Sequence, residues 1–271
     1  MATVAVVGLG LMGSSFALAL RGQGHTIVGS DRDPAVVRKA VDRRIVEVAH
    51  SDLSIVDIAD VVVIAAPVRA MRDVFKRLAG KTAAKVVTDM ASTKAVVMDW
   101  ASASGVDLVG GHPMCGKESS GIDAADPTIF QGAPWIITRR DPQVVGLIES
   151  VGSHAVVMDA ATHDRLVAGV SHGAFLLSIG YVLALSHRSD WPEASKVAGS
   201  GFRDMSRLAA GDPELYAGIS ETNRENMVAM LDAISAELAR LRRHLEADDP
   251  RLVELFEEAR SVRERWAREN P

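Results

Sequence analysis

Residues 110–121 read Gly-Gly-His-Pro-Met-Cys-Gly-Lys-Glu-Ser-Ser-Gly, a histidine among four glycines with Pro113 fixing the backbone beside it. His112 follows the strand candidate Asp107–Gly110, so its imidazole is expected at a strand exit, open to a crevice. Oxidising an alcohol carbon requires removal of the hydroxyl proton, and a neutral imidazole, with an ordinary pKa of about 6.5, takes such a proton near neutral pH. Of the eight histidines His112 has the strongest claim to be that base. A histidine that only caps a turn is the alternative.

A second pattern supplies the oxidant. Gly8-Leu-Gly-Leu-Met-Gly13 follows the apolar run Val4–Val7 and opens the helical stretch Ser14–Arg21. In that context Gly8 permits the tight turn, Gly10 lets a pyrophosphate approach the backbone, and Gly13 allows close helix–strand packing. The helix start at Leu11 and Met12 adds amide donors and a positive dipole end. Asp31, 18 residues after Gly13, ends the next strand and can accept from a ribose hydroxyl, which favours NAD. Arg32 leaves NADP open, because a guanidinium there can pair with a 2′-phosphate. Ala66 and Pro67, after the run Val61–Ala65, complete the expected cofactor set.

These residues need a scaffold, and the chain alternates short β-branched runs (Val4–Val7, Thr26–Ser30, Val61–Ala65, Lys85–Thr88) with helical stretches. That rhythm predicts an α/β, doubly wound parallel sheet of the Rossmann type, with ligands beyond the carboxyl ends of its strands. Pro134–Thr138 and Ala155–Met158 are further strand candidates. Beyond about residue 160 the pattern is helical: Thr162–Ser186, Pro192–Ala210, Asp212–Leu245 with a break, and Pro250–Ala267. The expected domains are therefore a dinucleotide-binding domain over 1–159 and an all-helical domain over 160–271. Met227, Leu231, Ile234, Leu238, Leu241 and Leu245 form an a/d stripe, which suits either a core-facing helix or a subunit seam.

Composition narrows the class. The 271 residues are 48% hydrophobic, enough for a sizeable core, which excludes intrinsic disorder. A net charge of −5 gives no general attraction for nucleic acid or anionic lipid. Cys115 is the sole cysteine, so no intramolecular disulfide or thiolate cage forms, and with no targeting peptide evident the cytoplasm is expected. Val167–Leu185 is a run of 19 residues without formal charge, yet its glycines, serines and His172 suit a buried central helix better than a membrane span.

The motifs above, with Thr88-Asp89-Met-Ala-Ser92-Thr-Lys94, Phe130-Gln-Gly-Ala-Pro134, His163-Asp164-Arg165, Ser171-His172, Gly201-Phe-Arg203-Asp204-Met-Ser-Arg207 and Asp212-Pro213, resemble the prephenate/arogenate (cyclohexadienyl) dehydrogenase family over nearly the whole chain. The resemblance implies a homodimer joined through the helical domain, an active site in the cleft between domains, and oxidative decarboxylation of a cyclohexadienyl acid. Hydride leaves the ring carbon, loss of CO2 makes the ring aromatic, and no metal is needed. Carried over by position, His112 hydrogen-bonds the ring hydroxyl, Ser92 contacts the same hydroxyl, and Arg207 binds a substrate carboxylate. Glu118 falls near the substrate entrance, and Arg203 lies one helical turn before Arg207. His172 matches the first histidine of a Ser-His-Leu-Pro-His segment, but Gly173, Ala174 and Phe175 replace the rest, so a core role for His172 stays open. The resemblance further implies a stand-alone catalytic core, with neither a chorismate mutase segment nor a regulatory domain.

Two other readings compete. A β-hydroxyacid dehydrogenase shares this domain plan but uses a lysine of the helical domain, for which Lys196 is the candidate. A catalytically silent NAD sensor needs Gly8–Gly13 but has no use for His112, Ser92 and Arg207 together. Prephenate and arogenate differ only in a side-chain keto or amino group, and both remain open as substrate.

Overall fold

The computed structural model describes residues 2–82 and 85–270, which divide into two compact units, up to Asn226 and from Met227 onward. Strands β1 (Thr3–Val7), β2 (Thr26–Ser30), β3 (Val48–His50), β4 (Val61–Ile64), β5 (Val86–Asp89) and β6 (Leu108–Val109) form one parallel sheet in the order β3-β2-β1-β4-β5-β6. Valine-rich strands suit this sheet because both faces are covered. Val4 and Val6 pack with Phe16 and Leu20 of α1 (Leu11–Leu20), whereas Ala5 and Val7 pack with Met71, Phe75 and Leu78 on the other face. Helices α2 (Pro34–Asp42), α3 (Val68–Leu78) and α4 (Ala95–Ala103) connect the strands. The strand order reverses between β1 and β4, which places the ligand crevice beyond their carboxyl ends. The short edge strand β3 is an addition to the expected set.

One residue after β6 the chain enters a second sheet, made of β7 (Gly111–Pro113), β8 (Pro134–Ile137) and β9 (His154–Val157), with α5 (Pro142–Ser150) between the last two. β7 runs antiparallel to β8 and sets His112 opposite Ile136. Phe16, Phe130 and Trp135 cluster beneath it, with the Phe130 and Trp135 rings stacked 5.5 Å apart. His112 therefore lies inside a strand and is only 8% exposed, which corrects the expectation of an imidazole at a strand exit, open to a crevice. Gly110 alone separates β6 from the new pairing, leaving no length for a loop.

The rest is helical. α6 (Ala160–Val167), a wide π turn (Ala168–His172) and α7 (Gly173–Ser186) form one continuous run. This run is long and apolar enough to cross a membrane by length and composition, and a third of it is buried. His163, Asp164, His172, Phe175 and Ser178 face inward, while Val170, Tyr181 and Leu183 stay exposed. The expected buried central helix is therefore buried along one face only in the single chain. The stretch expected as one helix over 192–210 is broken into α8 (Trp191–Ala194), α9 (Ser200–Ser206) and short 3-10 turns, with no buried residue in them. Glycines at 199, 201 and 211 and the lack of a buried stripe leave nothing to stabilise a single helix. α10 (Pro213–Thr222) ends at Asn223, where the expected break occurs.

The second unit contains the remainder of α11 (Arg224–Glu246) and α12 (Leu252–Glu269). Leu231, Leu238 and Leu245 of the a/d stripe are exposed in the single chain, as are Val253, Phe256, Val262 and Trp266 of α12. Met227 of the stripe is buried and Ile234 and Leu241 are half-buried, so a single chain covers the stripe only in part.

Candidate active site

The glycine turn between β1 and α1 has three different geometries. Gly8 adopts φ +97°, and a Cβ there would lie 2.6 Å from the Ala65 carbonyl oxygen. At Gly13 a Cβ would meet the Gly8 carbonyl oxygen at 1.9 Å. At Gly10 it would meet nothing within 4 Å. Gly8 and Gly13 thus serve internal packing, and Gly10 borders open space at the sheet's switch point. No side chain caps α1, so the amides around Leu11 and Met12 point outward unspent. Asp31 reaches back across the turn, with Oδ2 accepting from Leu9 N at 2.9 Å and Oδ1 from Asp33 N at 3.0 Å. Ala66 and Pro67 flank the start of α3, and Arg32 is exposed. An uncapped helix end, an open glycine and a nearby carboxylate fit a dinucleotide, the first two for its pyrophosphate and the carboxylate for its ribose.

Around His112 the structure assembles a chain of buried groups that its neighbours in sequence do not supply. His112 Nδ1 lies 2.8 Å from Nε2 of His163, and His163 Nδ1 lies 2.8 Å from Oδ1 of Asp164. Asp164 also accepts from Lys94 N at 2.7 Å and Ala95 N at 2.8 Å, closing the uncapped start of α4. Those donors require Asp164 to act as an acceptor only. His163 Nδ1–H then donates to Asp164, His163 Nε2 accepts from His112 Nδ1–H, and His112 Nε2 keeps a lone pair. Burial first, then the neighbouring His163, Lys94 and His172, push His112 well below the ordinary histidine value. It is a neutral base across the physiological range.

Asn223 connects this chain to His172. Its amide donates to the Asp164 carbonyl at 2.7 Å and lies 3.1 Å from His172 Nδ1. His172 Nδ1 is then the acceptor, which leaves Nε2–H buried with no partner among the described residues. Burial lowers His172 to about 4, so it too is neutral. The π turn that ends at His172 adds a residue to the helix, a distortion that often accompanies functional positions.

Arg207 begins a 3-10 turn, Arg207–Ala210, held by α7 on one side and α10 on the other. Ala209 N donates to Ser178 Oγ at 2.9 Å, and Tyr216 Oη donates to the Leu208 carbonyl at 2.7 Å. Phe175 stacks on Tyr216 with ring centroids 4.0 Å apart, so Phe175 fills packing under this turn. The Arg207 guanidinium is paired with Glu118, and the carboxyl of Glu118 is held below the ordinary range by a backbone hydrogen bond and by Arg207. Ser92 lies half-buried in the turn between β5 and α4, and Arg203 is exposed on α9. Cys115 is inert, because burial pushes its thiol up to about 12. Lys196, the lysine that a β-hydroxyacid dehydrogenase would use, is exposed on the turn Ser195–Val197.

Sequence reasoning placed His163, Asp164 and Lys94 in motifs but gave them no role, and it passed over Asn223. Their partners lie 51 to 70 residues away, so only the fold reveals them.

Residues 16–157 match the family model described as prephenate dehydrogenase, nucleotide-binding domain, and residues 159–258 match that for prephenate dehydrogenase, dimerization domain. The chain is 31% identical to the cyclohexadienyl dehydrogenase of Zymomonas mobilis, over 96% of this chain and 94% of that protein. Among solved structures it resembles prephenate dehydrogenase from Aquifex aeolicus in complex with hydroxyphenyl propionate and NAD+, with 31% identity, TM-score 0.90 and 98% of each chain covered. It also resembles Synechocystis arogenate dehydrogenase, with 30% identity, TM-score 0.83, and 97% and 99% of the two chains covered. With both halves matched by its models and relatives similar along their length, this chain belongs to the prephenate dehydrogenase family.

Proposed function

We propose that this chain is an NAD-dependent cyclohexadienyl dehydrogenase, converting prephenate to 4-hydroxyphenylpyruvate, or arogenate to tyrosine, with release of CO2. The observation that carries this reading is the buried Asp164–His163–His112 chain, which leaves a lone pair on His112 Nε2. NAD+ supplies the acceptor for the hydride that leaves the ring carbon. His112 Nε2 takes the ring hydroxyl proton as that carbon becomes a carbonyl. Loss of CO2 from the opposite ring position returns its electron pair to the ring, and the phenolate oxygen recovers the proton from His112. The proton is borrowed and the net reaction releases none. A depressed basicity suits both steps, keeping the base neutral beforehand and making the imidazolium a ready donor afterwards.

The other site residues have matching roles. Ser92 orients the ring hydroxyl. The unpartnered His172 Nε2–H offers a donor to a substrate oxygen, and a buried donor without an acceptor costs about 1–3 kcal/mol until it finds one. Arg207, itself exposed, exchanges its half-buried Glu118 partner for a substrate carboxylate, since an ion pair this open to water is worth little and a bidentate pair in a closed site more. Arg203 adds positive charge one turn away. Gly8, Gly10, Leu11, Met12, Gly13, Ala66 and Pro67 hold the dinucleotide with Arg32 at its ribose end, and Asp31 selects NAD over NADP. The functional division is placed at residue 159, just after β9. The exposed stripe on α11 supports a homodimer, because an apolar face of that length needs a cover. Cytoplasm is the proposed location, consistent with a single, inert cysteine.

The test follows nicotinamide absorbance with the purified chain, crossing prephenate and arogenate with NAD and NADP. Reduction with at least one ring substrate, faster with NAD and with the gap narrowed by Asp31→Ser, is expected. No reduction with either substrate would overturn the assignment.

A further inference from the structure

Asp89 closes β5 and is fully buried, as is Lys94 five residues later. The Asp89 carboxylate is fully engaged. Oδ1 accepts from Gly111 N at 2.8 Å, and Oδ2 accepts from Ala91 N at 2.9 Å and from the Lys94 ammonium. Gly111 precedes His112, and Ala91 precedes Ser92. One carboxylate therefore grips the backbone beside both residues that address the ring hydroxyl.

The local glycines serve this contact. A Cβ at Gly111 would come within 2.4 Å of the Asp89 carbonyl oxygen, and one at Gly110 within 3.2 Å of Lys94 Cδ. The start of β7 at Gly111 thus approaches Asp89 more closely than any side chain permits, and Gly110 sits tightly against Lys94. Lys94 extends the link, since its own amide donates to Asp164 at the far end of the histidine chain.

A buried ion pair is poor evidence for stability, because desolvation of both charges offsets their attraction. Geometry gives it a different use. Two amides and an ammonium need an acceptor with two charged oxygens, and an asparagine would offer one oxygen and a clashing NH2. The carboxylate in turn needs a counter-ion at zero exposure.

We propose that Asp89 and Lys94 are a positioning pair for the reaction: Asp89 fixes the separation of His112 and Ser92, and Lys94 anchors that carboxylate as its buried counter-ion. The proposal rests on the reading of His112 as the base. The charged and titratable groups around His112 are Asp89 and Lys94 from the β5–α4 segment, His163 and Asp164 from α6, and His172 from the π turn. Lys94 is among the groups that lower His112, after burial and His163.

The test compares Lys94→Met, Asp89→Asn and the double variant with the parent, using kcat, KM, NAD affinity and the pH profile of kcat. Lys94→Met leaves an uncompensated carboxylate near His112, and the acidic limb of kcat is expected to move up by about one pH unit or more. The double variant restores neutrality, so the limb returns toward the parent position. Its kcat stays down roughly 10- to 100-fold because one acceptor oxygen serves two amides. KM and NAD affinity stay within about threefold of the parent, as a positioning role requires. Loss of packing alone would not move the limb in one variant and return it in the other. The neutral double variant and Asp89→Asn keep kcat measurable if Lys94→Met alone does not fold. Parent-like kcat in the double variant, or an unmoved limb in Lys94→Met, would overturn the proposal. His112→Asn is assayed alongside. If it is inactive while the pair's variants match the parent, the positioning role alone fails; if it is fully active, the base reading fails as well.

Discussion

His163→Phe isolates the contribution of the buried histidine chain. Phenylalanine keeps the ring volume in a fully buried place, 5.0 Å between ring centroids from His112, and removes both nitrogens. Asp164 loses one donor but retains Lys94 N and Ala95 N, so the start of α4 remains capped and the fold should survive. His112 Nδ1–H, however, loses its acceptor at His163 Nε2. A buried donor without a partner costs about 1–3 kcal/mol, and the imidazole escapes that cost by moving its proton to Nε2. In that tautomer Nε2 presents a hydrogen to the ring hydroxyl where a lone pair is needed. At about 1.4 kcal/mol per decade, the active tautomer and kcat fall roughly 10- to 100-fold. KM for the ring acid should change less than about threefold, because no substrate contact is removed. Steady-state nicotinamide absorbance gives kcat and KM, and a fluorescence titration gives NAD affinity. A variant with kcat within twofold of the parent would refute the tautomer chain, and one with raised KM and intact kcat would make His163 a substrate contact.

Three further outcomes follow from the same geometry. Gly10→Ala places a methyl in open space, so its melting temperature should match the parent while NAD affinity drops at least tenfold; Gly13→Ala, with its Cβ 1.9 Å from the Gly8 carbonyl oxygen, should instead lose stability. Arg207→Ala should raise KM for the ring acid at least tenfold, because a charge-assisted bidentate bond contributes roughly 1.5–3 kcal/mol, while NAD affinity stays constant. His172 is lowered from its unfolded value of about 6.5 to about 4 in the fold, so the unfolded chain binds the extra proton between those values. Its contribution is fully present above pH 6.5 and is lost as pH falls toward 4, by up to about 3 kcal/mol. Urea midpoints across that range, in the parent and in His172→Gln, check this through a flatter slope in the variant.

The parts of the fold readable from sequence are those whose cause is local. Gly8, Gly10 and Gly13 act within one turn, and Val4–Val7 declares a doubly buried strand by its composition. The small sheet was harder. Its strands are short, and β7 has three residues whose pairing with β8 depends on a partner more than twenty positions away. The helix expected over 192–210 failed because apolar content alone cannot overcome glycines on a segment that buries nothing. At the candidate site, the motif around His112 stands out through its glycines and proline, but the groups that fix the tautomer and basicity of His112 do not. His163, Asp164 and Asn223 come from α6 and the α10–α11 joint. Lys94 runs against the ordinary rule that lysines are exposed, and no periodicity announces a buried lysine whose counter-ion is five residues earlier.

The central claim is that His112 Nε2 accepts the ring hydroxyl proton from a base held neutral by burial and by His163, Lys94 and His172. The direct measurement is the pH profile of kcat for the parent and for His112→Asn, with cofactor binding and melting temperature as controls on the fold. In the parent, kcat should stay level as pH falls through about 6.5, the ordinary histidine value, and decline only well below it. His112→Asn should bind NAD normally, lose on the order of 10²–10⁴ in kcat, and show no acidic limb. Retention of more than about a tenth of the activity, with the acidic limb intact, would contradict the account and move the search for the base to His172.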